Sequence, residues 1–193
     1  MKICILSSIG RSGTTSLFNI MCECLPRYYT CLNEPFGPTF DGDGMDIIKN
    51  NTNVLVKELL NHRINDEVFP YEWPYQTFDK IIIMDRRNKR EQAESHAINS
   101  YNEVAFTDWH QRKVYDLSNI PEEYIQKLES QATDLMKEHK GKVYYYEDVF
   151  LNHNLDLLME IINSVGIQTI PVNVLYEHFY SIDKKVRIVK NLI

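Results

Sequence analysis

The N-terminal segment constrains the fold of this chain more than any other part of the sequence. A short apolar run, 2–6, stops at a turn rich in Gly and Ser, and a helical pattern begins near Thr14. A buried strand, a tight loop and a helix in direct succession are typical of loops that bind phosphate groups. Backbone N–H groups in such a loop converge on an anion, and the helix N-terminus adds the positive end of its dipole. The segment therefore predicts an anion site at the end of the first strand.

The composition of this loop narrows the kind of anion. The common nucleoside-triphosphate version reads G-x-x-x-x-G-K-[ST]. Aligned on Gly13, this chain has Ser8 in place of the first Gly and Thr14 in place of the Lys, and its basic residue is Arg11. Because the missing Lys bridges the β- and γ-phosphates in triphosphatases, we expect a 5′-phosphate that carries one further group. The alternative is a Ser/Thr-rich turn that only caps a helix.

Apolar strands alternate with helical patterns along the chain. The periodicity predicts strands at 2–7, 28–32, 54–57, 80–84 and 143–146, and helices at 14–25, 89–101, 121–139, 155–165 and 172–180. This alternation predicts an α/β protein with a central parallel sheet and helices on both faces, which is a three-layer α/β/α arrangement. Ligands of such sheets bind outside the carboxyl ends of the strands. With no internal repeat and no evident linker, residues 1–193 are expected to form a single domain.

Charge and cysteine content exclude several classes of protein. The net charge of −6 argues against a general nucleic-acid binder or a binder of anionic membrane surfaces. The four cysteines lack the paired spacing of a zinc site, so we expect buried free thiols. No apolar run is long enough for a signal peptide or a bilayer span. A cytoplasmic location without membrane insertion is the resulting expectation.

Four segments together resemble sulfotransferases that use 3′-phosphoadenosine 5′-phosphosulfate (PAPS) as the sulfonyl donor. Segment 11–17 is similar to their 5′-phosphosulfate loop. Segment 85–96 resembles their 3′-phosphate signature, in which a Ser follows a strand-end Arg by eight residues. Segments 33–36 and 146–148 look like stretches of the carbohydrate-type and bacterial members. The resemblance implies a P-loop NTPase-like fold, PAPS as donor, adenosine 3′,5′-bisphosphate (PAP) as product and no metal.

The same resemblance implies which residues bind the donor. Arg11 would hold the 5′-phosphate together with the residues that follow it, Ser12, Gly13, Thr14, Thr15 and Ser16. Arg87 and Ser95 would hold the 3′-phosphate, for which a guanidinium offers a planar fork of donors. A solvated basic turn is the alternative interpretation of the sequence around Arg87, and Arg86 is expected to form only a salt bridge. Tyr146 would hydrogen-bond the adenine; otherwise it is a buried strand tyrosine with a satisfied hydroxyl.

Glu34 is the candidate general base. It follows a predicted strand at the ligand edge, and the next residue is a proline that restricts the local chain. Its alternative role is a salt bridge to Arg11 or Lys57. Arg11 would also offset charge on the bridging oxygen. Lys57 lies at the end of its predicted strand, and the resemblance implies that it contacts the transferring sulfonate. The phenol and steroid branch has a catalytic His two residues after such a Lys, where this chain has Leu59.

The sequence therefore predicts an enzyme, a PAPS-dependent sulfotransferase. Its acceptor would be a hydroxyl, or an amine, of a small molecule or carbohydrate. The walls of the acceptor pocket are expected from loop 37–44 and from the aromatic stretches 71–78 and 101–109. A small P-loop kinase and a non-catalytic nucleotide-binding module are the alternatives. The short chain is also compatible with a homodimer that completes the acceptor site.

Overall fold

Five parallel strands form the centre of the structure. The computed structural model describes residues 1–37, 40–63, 75–101, 117, 120–137 and 142–180. The strands lie in the order β2-β3-β1-β4-β5, and every neighbouring pair is parallel. Their bounds are β1 Lys2–Ser7, β2 Thr30–Asn33, β3 Val54–Leu59, β4 Lys80–Asp85 and β5 Val143–Tyr145. The predicted α/β class with a central parallel sheet is confirmed.

Helices follow strands β1, β2, β4 and β5 along the chain. Their bounds are α1 Thr14–Cys24, α2 Gly44–Asn50, α3 Lys89–Tyr101, α4 Glu122–Lys137, α5 Leu155–Asn163 and α6 Val172–Val174. Two π-helical segments, Glu147–Leu151 and Leu175–Tyr180, follow β5 and α6. Within the described ranges, no helix is both long enough and apolar enough to cross a bilayer.

Side chains of β1 alternate between two cores, one on each face of the sheet. Ile3 and Ile5 pack in a cluster that contains buried residues of α1 and α5. Cys4 and Leu6 belong to a second cluster, which includes Ile48 of α2. Because successive strand residues face opposite sides, helices cover both faces of the sheet. This arrangement is consistent with three layers.

Local sequence explains where α1 begins and ends. Gly13, in the left-handed region, precedes the first helical residue, and the buried residues of α1 recur at helical spacing. Leu25 is extended, with a ψ of 149°, as expected of a residue that precedes a proline. The helix therefore runs from the loop after β1 toward the opposite edge of the sheet.

Three expectations need correction. Helix α2 was not predicted, because Gly44 and the Asp residues before it resemble a turn; the Asp43 side chain caps it by accepting a hydrogen bond from the Asp46 N–H at 3.0 Å. Strand β3 continues to Leu59, so Lys57 lies inside the strand and not at its end. The cysteines are free thiols as predicted, but only Cys4 is buried; Cys22 and Cys24 are half-buried, and Cys31, on the edge strand β2, is exposed.

Candidate functional site

The loop between β1 and α1 contains two residues in left-handed conformation. Arg11 has a φ of 73° and Gly13 a φ of 80°. A Cβ atom on Gly13 would lie 2.7 Å from the Tyr146 ring, so this position needs glycine for its backbone and for its close contact. Gly13 gives α1 no side-chain cap, and the first N–H groups of a helix have no partner within it. The turn therefore presents N–H donors suited to an anion.

Two buried hydroxyls in this loop have no hydrogen-bond partner among the residues that the structure describes. These are the Oγ atoms of Ser8 and Ser12, both of which are fully buried. Such a hydroxyl is costly to bury unless a ligand or a water satisfies it. Thr14 is also buried, whereas Thr15 is exposed and Ser16 is half-buried. The predicted phosphate-binding residues thus differ in accessibility, with Arg11 and Thr15 on the outside.

Helix α3, which follows the neighbouring strand β4, contacts this loop through several side chains. The Gln92 amide Nε2 donates to the carbonyl oxygens of Ile9 and Gly10, both at 3.3 Å. The Arg11 Nε donates to the Ser95 Oγ at 2.9 Å. Gly10 lies so close to His96 that a Cβ atom there would be 2.9 Å from its Nδ1. Because α3 follows β4, and β4 pairs with β1, the two segments predicted to bind anions lie side by side.

Arg87 follows β4 and is held by residues that follow β5. Its backbone N–H donates to Glu147 at 3.1 Å, and its guanidinium lies 2.5 Å from an Asp148 oxygen and 4.0 Å from the centre of the Tyr145 ring. The hydrogen bond to Asp148 raises the pKa of Arg87. In the hydrogen bonds given above, Arg87 contacts Glu147 and Asp148, whereas Ser95 contacts Arg11. The expectation that the bend brings these two residues together stays a prediction.

Arg86 lies deeper in the site than Arg87. Only 12% of its side chain is exposed, and it donates to Glu91 at 3.0 Å, in line with the expected salt-bridge role. Its guanidinium lies 5.1 Å from the centre of the Tyr146 ring. Burial raises the pKa of Tyr146, while the charges of Arg86 and Arg11 act in the opposite direction. Tyr146 therefore sits between the loop after β1 and the cations at the end of β4.

Glu34 and Lys57 form an ion pair at the end of β2. Glu34 directly follows this strand, has a φ of 52°, and donates its N–H to the Lys57 carbonyl at 2.6 Å. The Lys57 ammonium contacts the Glu34 carboxylate, and their side chains are 5% and 21% exposed. This ion pair is the alternative role considered for Glu34. Within this pair, the Glu34 carboxylate is more exposed than the Lys57 ammonium and lies at the sheet edge.

Sequence reasoning assigned no role to several buried polar residues near this edge. Gln92 and Glu58 are fully buried, and Asp85 is 4% exposed. Burial raises the pKa of Asp85, although the hydrogen bond and charge of Lys89 lower it. The available signal was a polar residue within or directly after an apolar run. Glu58 lies within the mostly apolar segment 54–60, and Asp85 directly follows the apolar run 81–84.

The site residues share one edge because all strands run the same way. The loop after β1, Glu34 after β2, Arg87 after β4 and Glu147 after β5 all follow the carboxyl ends of their strands. After β1 the chain forms β2 and β3, which both lie on one side of β1 in the strand order. After β3 it crosses to the other side of β1 and forms β4. Ligands of open parallel sheets bind where the strand order reverses in this way. That point lies beside β1, where the Arg11 turn is found.

Two further expectations concern the walls of the acceptor pocket and metal binding. The aromatic stretches 71–74 and 102–109, expected as acceptor walls, lie outside the described residues. In the part of the chain that the structure describes, one group of side chains is close enough to share a metal ion: Glu23, Glu177 and His178. It lies at the end of α1 remote from the Arg11 turn, and exposed carboxylates often cluster without an ion. A reaction without a metal stays a prediction.

No protein-family model, curated protein or solved structure matches the chain. The resemblance to PAPS-dependent sulfotransferases therefore depends on the four short segments. All four contribute residues to the edge of the sheet described above.

Proposed function

We propose that this chain is a PAPS-dependent sulfotransferase with a P-loop NTPase-like fold. It would transfer a sulfonyl group to a hydroxyl or amine of a small-molecule or carbohydrate acceptor and release PAP. The observation that supports this most is the hydrogen bond between Arg11 and Ser95. PAPS carries an anionic group at each end of an adenosine, and this contact joins the segments proposed to bind the two ends.

The loop after β1 fits a phosphate with one further substituent. Its features are the N-terminus of α1, which has no side-chain cap, and Gly13, where a side chain has no room. A third feature is the Ser12 hydroxyl, which has no hydrogen-bond partner within the described ranges. Thr14 stands where a triphosphatase has the Lys that bridges the β- and γ-phosphates. The positive charge comes instead from Arg11, whose exposed side chain is directed by Ser95. These features favour PAPS over a nucleoside triphosphate.

The proposed reaction is an in-line displacement at sulfur. When bound, PAPS supplies the sulfonyl group and a good leaving group. Glu34 would take the proton of the acceptor while the acceptor oxygen or nitrogen bonds to sulfur. Lys57, in contact with Glu34, would face the negative oxygens of the transferring group. Arg11 and the N–H groups of the loop would stabilise the 5′-phosphate as its bridging oxygen takes the electron pair of the broken S–O bond.

Calorimetric titration tests the donor assignment. PAP is compared with ADP and ATP, each with and without magnesium. Selective binding of PAP that does not depend on magnesium supports the proposal. A preference for ATP with magnesium would contradict it and favour the kinase alternative.

Turnover tests the catalytic assignment. Transfer from PAPS is assayed against a panel of phenols, sugars and amines. For an acceptor that reacts, Glu34→Gln is expected to lower kcat and to leave PAP affinity within about twofold of wild type, because PAP lacks the sulfonyl group at which Glu34 would act. Full activity of this variant would place the base elsewhere. Tight PAP binding without transfer to any acceptor would indicate a nucleotide-binding module.

A further inference from the structure

Glu58 is a buried acid that the proposed reaction does not use. It follows Lys57 in β3, and it is fully buried. In register, Lys57 pairs with Ile5 and Glu58 with Leu6, so the two side chains face opposite sides of the sheet. Glu58 thus faces the core that contains α2. A carboxylate in such a place is costly unless hydrogen bonds satisfy it.

The Glu58 carboxylate accepts hydrogen bonds from two backbone N–H groups. One oxygen accepts from the Leu59 N–H at 2.8 Å, within its own strand. The other accepts from the Phe36 N–H at 2.9 Å, in the turn that follows β2. Hydrogen bonds to an ionised acceptor are about twice as strong as those between neutral groups. Glu58 therefore links β3 firmly to the turn that carries Glu34.

This turn holds Glu34 in an unfavourable backbone conformation. A residue other than glycine seldom adopts a φ of 52°, and surrounding contacts must impose it. The Glu34 N–H donates to Lys57 at 2.6 Å, and the Gly37 N–H donates to the Glu34 carbonyl at 2.8 Å. The first residue of α2, Gly44, packs on the Pro35 carbonyl without room for a Cβ atom. Between these contacts, the Phe36 N–H is anchored by Glu58.

We infer that Glu58 is a positioning residue, which holds the 34–37 turn through the Phe36 N–H and so places the Glu34 carboxylate against Lys57. The inference rests on the proposed function only for the role given to Glu34. Both carboxylate oxygens are needed, because each accepts a different N–H group. A glutamine would keep one acceptor and turn its NH₂ group toward the other donor.

Hydrogen exchange and lysine acetylation test this inference without any nucleotide. In Glu58→Gln we expect the Phe36 amide to exchange about tenfold faster than in wild type, while amides of Ile5 and Ile82 keep their rates. Lys57 should react with acetic anhydride about fivefold faster, relative to exposed Lys137, because its carboxylate partner is released. Glu123→Gln, at an exposed position of α4, is the matched control and should change neither rate.

Two further variants separate this role from general stabilisation. Glu34→Gln should speed the acetylation of Lys57 but leave the Phe36 amide protected. Glu58→Asp keeps the charge on a side chain one methylene shorter, and it should behave as Glu58→Gln does. Where an acceptor reacts, both Glu58 variants should lower kcat and leave the KM for PAPS unchanged.

Three results would overturn the inference. The first is free exchange of the Phe36 amide in the wild-type protein, and this measurement does not depend on the folding of any variant. Another is a folded Glu58→Gln protein whose Phe36 and Lys57 rates equal those of wild type. The third is uniform acceleration that includes Ile5 and Ile82, since that pattern reports a loss of global stability. None of these readouts depends on whether PAP binds, so they are separate from the test of the proposed function.

Discussion

The Nε of Arg11 donates a hydrogen bond to the Ser95 hydroxyl, which lies 2.9 Å away and 84 residues later in the chain. This bond connects the turn after β1 to the middle of α3. It directs the only basic side chain of segment 7–17 toward the edge of the sheet where donor binding is proposed. The position of the Arg11 guanidinium therefore depends on a residue that is distant in the sequence.

Ser95→Ala is expected to weaken PAP binding by about 0.5–1.5 kcal/mol, the usual net value of one hydrogen bond. The loss arises because the Arg11 side chain is no longer held in place and because one proposed contact with the 3′-phosphate is gone. Calorimetry measures the change. Ser130→Ala, which removes an exposed hydroxyl on α4, is the control and should bind PAP as wild type does. Equal affinities of the two variants would contradict the role of Ser95.

Arg87→Ala is expected to weaken PAP binding by about 1.5–3 kcal/mol, the range for a hydrogen bond to a charged partner. AMP lacks the 3′-phosphate, so its affinity should change little. Half of the Arg87 side chain is exposed, which leaves it accessible to a ligand although Asp148 contacts it. Arg27→Ala removes an exposed cation elsewhere and serves as the control. A loss that is the same for PAP and AMP would remove the 3′-phosphate assignment.

Gly13→Ala and Gly166→Ala together separate backbone strain from steric contact. The two glycines have nearly equal φ values, 80° and 83°. Among the atoms of the described residues, an added Cβ has neighbours within 4 Å at Gly13 but none at Gly166. We expect Gly166→Ala to cost about 1 kcal/mol of unfolding free energy from strain alone. Gly13→Ala should cost about 2–3 kcal/mol, because the Tyr146 and Phe150 rings must also move. Urea unfolding measures the loss of unfolding free energy in both variants. Equal losses would mean that the Tyr146 and Phe150 rings move aside without a measurable cost.

The buried carboxyl group of Asp85 should make stability depend on pH. Its folded pKa is raised above the unfolded value of 3.8, so between these two values the native state binds more protons than the unfolded state. The free energy of unfolding contributed by Asp85 therefore falls as pH rises through this window. Asp85→Asn removes the titrating group. Its stability relative to wild type should thus increase as pH rises from 3.8 through this window, as measured by urea unfolding. A relative stability that decreases over this range would mean that the hydrogen bond and charge of Lys89 outweigh the effect of burial on the pKa of Asp85.

Much of the fold could be predicted because it follows from local pattern. Strands β1 and β4 are nearly continuous apolar runs, and α3 has the bounds that its sequence predicts. Helix α2 could not be predicted in this way, because its seven residues begin with a glycine and carry too few apolar positions to show a period. Its one local signal was Asp43, which caps the helix but is equally common in turns.

The site could be predicted only as a set of residues at one edge. Parallel strands place Arg11, Glu34 and Arg87 there, since each follows the carboxyl end of a strand. Which side chains meet depends on the order of the strands, and local sequence does not encode that order. Asp148 reaches Arg87 because β5 lies next to β4, and Ser95 reaches Arg11 because β4 lies next to β1.

Two opposite charges in the interior of β3 bear on how the sheet folds. Lys57 finds its carboxylate partner on one face, and Glu58 accepts from the Phe36 N–H on the other. A slip of β3 by one residue would exchange the faces of these side chains and bury each charge without its partner. The apolar residues of the strand would tolerate such a slip far better. Lys57 and Glu58 are therefore the residues that distinguish the native alignment of β3 from its shifted alternatives during folding.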